Sequence, residues 1–106
     1  MTEEQLLRAV GVLCDDHGLL WYHMPDSRRA LGSPGVPDLV IAGKYGILFR
    51  ELKSADGDTT AAQDLWGWTL TRFWTSAGQR RPAIWGIWRP ADLESGLIGL
   101  ELAAIC

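Results

Sequence analysis

The chain has only two cysteines in 106 residues, Cys14 and Cys106. Two thiols make neither a disulfide framework nor a zinc cluster, so a reducing cytoplasm is the default expectation. No apolar run reaches the roughly 18 residues that a bilayer-spanning helix needs. The first residues also lack the basic-then-apolar order of a secretory signal. No membrane is therefore expected among its partners. Repeats, linkers and low-complexity stretches are lacking too, which leaves a single domain over residues 1–106 with one core of sheet and helices. Positive charge is also short: 10 basic residues stand against 13 acidic ones, a net charge of -3 and a pI near 5.2. That balance weighs against nucleic-acid binding by bulk electrostatics. Local fields matter more than the total, and the basic residues cluster at Arg28-Arg29 and Arg80-Arg81.

The remaining composition is ordinary for a globular protein, with 47% hydrophobic and 22% charged residues. Thr2 and Gln5 form a capping-box pattern that opens a helix from about Glu3 to His17. Its apolar stripe is Leu6, Leu7, Val10, Leu13 and Cys14, and Gly18 stops it. A short strand over 19–23 leads into the long polar loop 25–35, and loops of that length usually carry function. Asp38–Ala42 and Ile47–Lys53 read as antiparallel strands joined by Gly43-Lys44-Tyr45-Gly46. A second helix is expected from about Thr60 to Ala77, ended by Gly78. Its inward stripe is Ala62, Leu65, Trp66, Thr69, Leu70, Phe73 and Ala77. A strand over 83–88 follows. Asp92 then caps a final amphipathic segment to about Ala104, weakened by Gly96 and Gly99. The order α-β-β-β-α-β-α implies a mixed sheet flanked by helices, an α/β fold.

The chemistry concentrates in the hairpin. If Ala42 faces Ile47, Asp38 lies directly opposite Glu51, and opposed Cβ atoms sit roughly 4.5–5.5 Å apart. Two carboxylates at that distance repel, and stability gains nothing from it unless a cation fills the gap. Lys53 is two residues beyond Glu51 and so points to the same face. Two acids and a lysine on one face are the parts needed to hold Mg²⁺ against a phosphodiester.

Other candidates carry an ordinary reading beside the functional one. Glu3 falls in phase with the inward stripe of the first helix. Glu4 falls on the solvent side with Arg8 as an i,i+4 pair, so Glu3 is favoured as a third acid. Gln63 is explained by a capping box with Thr60, or is aimed back at the metal and scissile phosphate. His23 is a candidate base, or a strand-end histidine satisfied by hydrogen bonds. Arg28 and Arg29 suit phosphate contacts. Of the six tryptophans, Trp66, Trp74, Trp85 and Trp88 can all be core or near-core. Trp68 faces away from its helix's stripe, which suggests an oligomer interface or a platform for a base, with the interface preferred.

Pro37-Asp38, Glu51-Leu52-Lys53 and Thr60-Ala61-Ala62-Gln63, after a helix opened by glutamate, resemble the PD-(D/E)xK nuclease superfamily. The segments 22–29, 35–39 and 88–93 are similar to small stand-alone VRR-NUC domain proteins of phage type, related in fold to archaeal Holliday junction resolvases. The resemblance covers nearly the whole chain. It implies a restriction-endonuclease-like fold and a Mg²⁺-dependent DNA endonuclease, with Mn²⁺ able to substitute. It implies metal binding by Asp38, Glu51 and the Leu52 carbonyl, and catalytic roles for Glu3, Lys53 and Gln63. Branched DNA as substrate, a homodimer and a host-cytoplasm location are further implications. The competing expectations are a non-catalytic nucleic-acid-binding module on the same fold and an acidic protein-interaction domain.

Overall fold

A computed structural model of the chain describes residues 1–24, 31–72 and 82–106. Its elements are α1 (Glu3–Asp16), β1 (Leu20–His23), β2 (Leu39–Gly43), β3 (Gly46–Leu52), α2 (Ala61–Thr71), β4 (Trp85–Trp88), α3 (Pro90–Glu94) and α4 (Leu97–Ile105). The strands form one sheet in the order β1-β2-β3-β4, antiparallel except for the parallel β3–β4 pair. The sheet is therefore mixed, as expected. The parallel pair follows from α2, which carries the chain from the end of β3 back to its start.

Both expected capping boxes form. Thr2 Oγ1 accepts from the Gln5 N–H while Gln5 Oε1 accepts from the Thr2 N–H, and Thr60 and Gln63 repeat the exchange. Gly18 ends α1 with φ at +68°, the left-handed conformation that glycine adopts without a Cβ penalty. The hairpin register also agrees with expectation: Ala42 faces Ile47 and Leu39 faces Arg50. Gly43 and Gly46 themselves pair, so the connection tightens to Lys44-Tyr45.

The core sits on one sheet face. Leu39, Ile41, Leu48, Leu52 and Trp88 meet Leu6, Val10 and Cys14 of α1 and Ile98, Leu102 and Ile105 of α4. Within this face Arg50 is also buried, at 1% exposure. Its Nη2 donates to Glu101 Oε2 and Ala83 O, both at 3.0 Å, and Nη1 to Phe49 O at 2.9 Å. The guanidinium stacks over Trp88, whose indole N–H donates to Glu101 Oε1 at 2.7 Å. Burial lowers the pKa of Arg50 and Glu101 works the other way. A buried charge needs such partners, and these tie β3 to β4 and α4.

Two sequence expectations need correction. The α2 stripe is out of phase: Gly67, not Leu65, is the buried residue, and it lies against the indole of Trp85. Leu65 is 63% exposed and Thr69 is also exposed. Glycine carries no hydrophobic signal, so the pattern could not reveal that a tryptophan from the sheet fills its place. The final amphipathic segment is broken in two, because Gly96 turns the chain at φ +85° between α3 and α4. Asp92 is also not the cap: Arg89 occupies that position, and Asp92 Oδ2 accepts its N–H at 2.7 Å. Phe73, Trp74, Ala77 and the Gly78 stop lie outside the described residues, as do Arg28, Arg29, Arg80 and Arg81. Among the described residues no helix is long and apolar enough to cross a membrane.

Candidate metal centre

One step beyond the Leu39–Arg50 pair, the ladder puts Asp38 across from Glu51. Asp38 is fixed at both ends of its own structure. Its carbonyl accepts from the Met24 N–H at 2.7 Å, and its Oδ2 accepts from the Leu52 N–H, also at 2.7 Å. The side chain thus laps onto the main chain of β3 beside Glu51.

Glu51 is 2% exposed. Gln63 Nε2 donates to its Oε1 at 3.0 Å, and Oε2 is buried with no hydrogen-bond donor among the described residues. The Asp38 carboxyl lies within hydrogen-bonding reach of it, yet two carboxylates are both acceptors. The contact is stable only with a proton or a cation between them. Burial pushes the Glu51 pKa up to about 9, and Asp38 and Glu3 add to the rise while Lys53 opposes it. In the metal-free protein at neutral pH, Glu51 therefore holds a proton.

Gln63 forms the expected capping box and reaches Glu51 with its other end. Its Oε1 takes the Thr60 N–H in the capping box, so its amide nitrogen is the end left to face Glu51. Helix geometry thus selects which end of the amide meets the acid.

An open cleft of about 400 Å³ lies over this point, lined by Glu3, Glu4, Leu7, His23, Asp38 and Leu52. The sequence separated Glu3 from Glu4, and the structure brings both to the cleft, with Glu4 also paired to Arg8 at 3.0 Å. His23 joins them. Among the described residues no three His, Cys, Asp or Glu side chains converge tightly enough to ligate one ion. The donor set that suits a hard divalent cation is thus two carboxylates and a main-chain carbonyl, with water completing the shell. The orphaned Glu51 oxygen beside Asp38 fits such an ion.

Two supporting arginines escaped the sequence reading. Arg89 Nη1 donates to Ser54 O at 2.7 Å and Gly57 O at 2.6 Å, pinning the turn between Lys53 and α2. Arg50 anchors the strand that carries Glu51. The only signal for Arg50 was a charge inside an apolar run, and for Arg89 its place at a helix start.

The loop before Asp38 is held by close approach. Gly35 has φ +84°, and a Cβ there would lie 2.5 Å from Ala62 C and 2.7 Å from Gln63 N. Gly35→Ala is therefore expected to destabilise the fold by at least about 1–2 kcal/mol from the left-handed backbone alone. It should also push the loop that leads to Asp38 away from α2. Thermal melts and metal titration check this, and an unchanged melting temperature would show that the loop does not rest on α2.

No family model matches the chain, and no curated protein matches it in sequence. A solved structure does. The chain shares its fold with a VRR_NUC domain protein. The TM-score is 0.65 at 19% identity, covering 98% of this chain and 90% of that one. At that identity the likeness speaks for the fold, and it is the fold that the resemblance of segments 22–29, 35–39 and 88–93 implies.

Proposed function

We propose that this protein is a Mg²⁺-dependent DNA endonuclease that cuts branched DNA, such as a Holliday junction or a flap, as a homodimer. The observation that carries the reading is the buried Glu51 carboxyl beside half-buried Asp38, with one Glu51 oxygen orphaned. Such a pair must keep a proton in the metal-free protein, and a cation is the natural replacement for it. The shared VRR-NUC fold supports the same reading.

Asp38, Glu51 and the carbonyl of Leu52 would hold the ion, with Mn²⁺ able to replace Mg²⁺. A divalent cation supplies Lewis acidity toward a phosphate oxygen and lowers the pKa of bound water. The protein's own residues do the rest. Gln63 fixes Glu51 by its hydrogen bond, and the Leu52 N–H fixes Asp38. Lys53, half-buried and close enough to act on Glu51, offers an ammonium to the charge that develops on the phosphate. Glu3 adds negative charge at the cleft, which strengthens the preference for a cation. His23, on the same cleft, offers an imidazole nitrogen to take a proton from water. Arg28 and Arg29, outside the described residues, would contact flanking phosphates.

Cutting two symmetric strands needs two sites, which a two-fold dimer provides. The sheet face away from the core carries Leu20, 77% exposed, and Tyr22 on β1 and Ile47 on β3, both also exposed. This face is one candidate for the contact, and Trp68 is the second. Sedimentation at micromolar concentration should show a dimer that Tyr22→Glu dissociates. A monomeric wild type would remove the dimer from the proposal.

The function itself is tested by incubating the protein with labelled linear, flap and four-way DNA, with Mg²⁺ or with EDTA. Cleavage of the branched forms in Mg²⁺ alone is expected. Tight DNA binding without cleavage in either metal would instead identify a non-catalytic binding module.

A further inference from the structure

The apolar stripe that α2 withholds from the sheet has a definite location. Ala62, Leu65, Trp66 and Thr69 line one wall of an open groove of about 420 Å³, and Ser33 and Pro34 line the other. That volume falls in the range of small-molecule sites. The groove is preformed. The Trp66 indole N–H donates to Pro34 O at 3.0 Å, and Gly35 lies directly on the Ala62–Gln63 backbone. Its walls are therefore held at fixed separation.

The two walls are the same two segments that deliver the acid site. The loop carrying Ser33 and Pro34 runs on to Asp38, and the helix carrying Ala62 and Trp66 presents Gln63 to Glu51. Ala62 and Gln63 are consecutive in α2, so groove and acids flank the same turn of one helix. A strand whose phosphate lies at the acids passes the groove within a few nucleotides. Along the groove's outer edge, next to Leu65, Trp68 is 61% exposed and carries the Arg72 guanidinium over its ring at 4.6 Å. An apolar slot edged by a stacked arginine matches a nucleotide, whose flat base is apolar on its face and whose phosphate is anionic.

We infer that the groove between the Ser33-Pro34 loop and α2 receives one unpaired nucleobase near the scissile phosphate. This rests on the nuclease reading and gives its preference for branched DNA a physical basis. In an intact duplex every base is stacked and paired, and only at a branch or a frayed end is one available without the cost of flipping it out. The groove thus selects substrate by the presence of a free base and not by sequence.

The experiment measures binding in EDTA, where turnover is blocked, by anisotropy of a labelled single strand, the same strand made abasic throughout, and the duplex. The single strand should bind about tenfold tighter than the abasic strand, the scale of one stacked base. Thr69→Trp, which fills the groove, and Leu65→Ser, which removes its apolar wall, should each erase that difference. Both positions are exposed, so the fold should survive, and melts verify it. Equal affinity of wild type for the intact and abasic strands would overturn the inference. So would a wild-type dimer that Leu65→Ser renders monomeric, since a second copy would then fill the groove. Cleavage in Mg²⁺ is scored separately. Cleavage without base-dependent binding leaves the nuclease reading and removes the groove, and base-dependent binding without cleavage does the reverse.

Discussion

Glu51→Gln is expected to abolish Mg²⁺-dependent cleavage and at the same time raise the stability of the metal-free protein. The two effects come from the same atom. Glu51 Oε2 is buried beside Asp38 with no donor. An amide nitrogen in its place can donate to the Asp38 carboxylate at every pH, whereas in wild type only the protonated carboxyl can, so the gain appears as Glu51 ionises toward alkaline pH. Such bonds contribute about 1.5–3 kcal/mol. For a domain of this size each kcal/mol moves the melting temperature by roughly 4–8 °C. The Gln63 contact is kept through Oε1. Cleavage should fall by at least about 10²–10³, the scale for losing one preorganised electrostatic group, because a neutral amide no longer helps hold a dication. Asp38→Asn should lose cleavage as fully but gain less stability, since its Oδ2 already has a donor in the Leu52 N–H. Lys53→Ala should keep metal binding and lose turnover. The decisive comparison is cleavage against melting in EDTA. If Glu51→Gln melts well below wild type, the acid is structural and the metal reading falls.

The hairpin was legible because its register depends on few things. Two glycines bound a short connection, the flanking strands are apolar, and a one-residue slip would turn every side chain to the wrong face. Asp38 and Glu51 came out adjacent for that reason. What stayed hidden depended on groups that carry no periodic signal. Gly67 contributes nothing to an apolar stripe, yet its lack of a side chain lets the Trp85 indole pack against α2. The stripe of Ala62, Leu65, Trp66 and Thr69 then had to face elsewhere. Arg50 is charged and buried, and only tertiary contact between β3, β4 and α4, with half-buried Glu101 as its partner, makes that tolerable. Gln63 stood between two readings because a sequence cannot show that one amide caps its helix with one end and meets Glu51 with the other.

The pH dependence of stability separates a protonated acid pair from an ionised one. Glu51 has a folded pKa of about 9 against an ordinary value of 4.5. Between these values the folded state keeps a proton that the unfolded chain has released, so folded stability falls as pH rises. Wild type in EDTA should therefore lose a few kcal/mol from about pH 5 to pH 9, at most 1.36 kcal/mol for each unit. Glu51→Gln has no such group and should show a flatter profile over the same window. The difference between the two profiles isolates Glu51 from the histidines, which both proteins share. Mg²⁺ requires the deprotonated pair, so its binding displaces the proton and tightens with pH. Its stabilising effect should accordingly be larger at pH 8.5 than at pH 6. Calorimetric titration in buffers of different ionisation enthalpy should count about one proton released per chain at pH 7. Parallel pH profiles for wild type and variant, with no proton release on metal binding, would mean that Glu51 is already ionised in the metal-free protein, and the contact with Asp38 would need a different counter-charge.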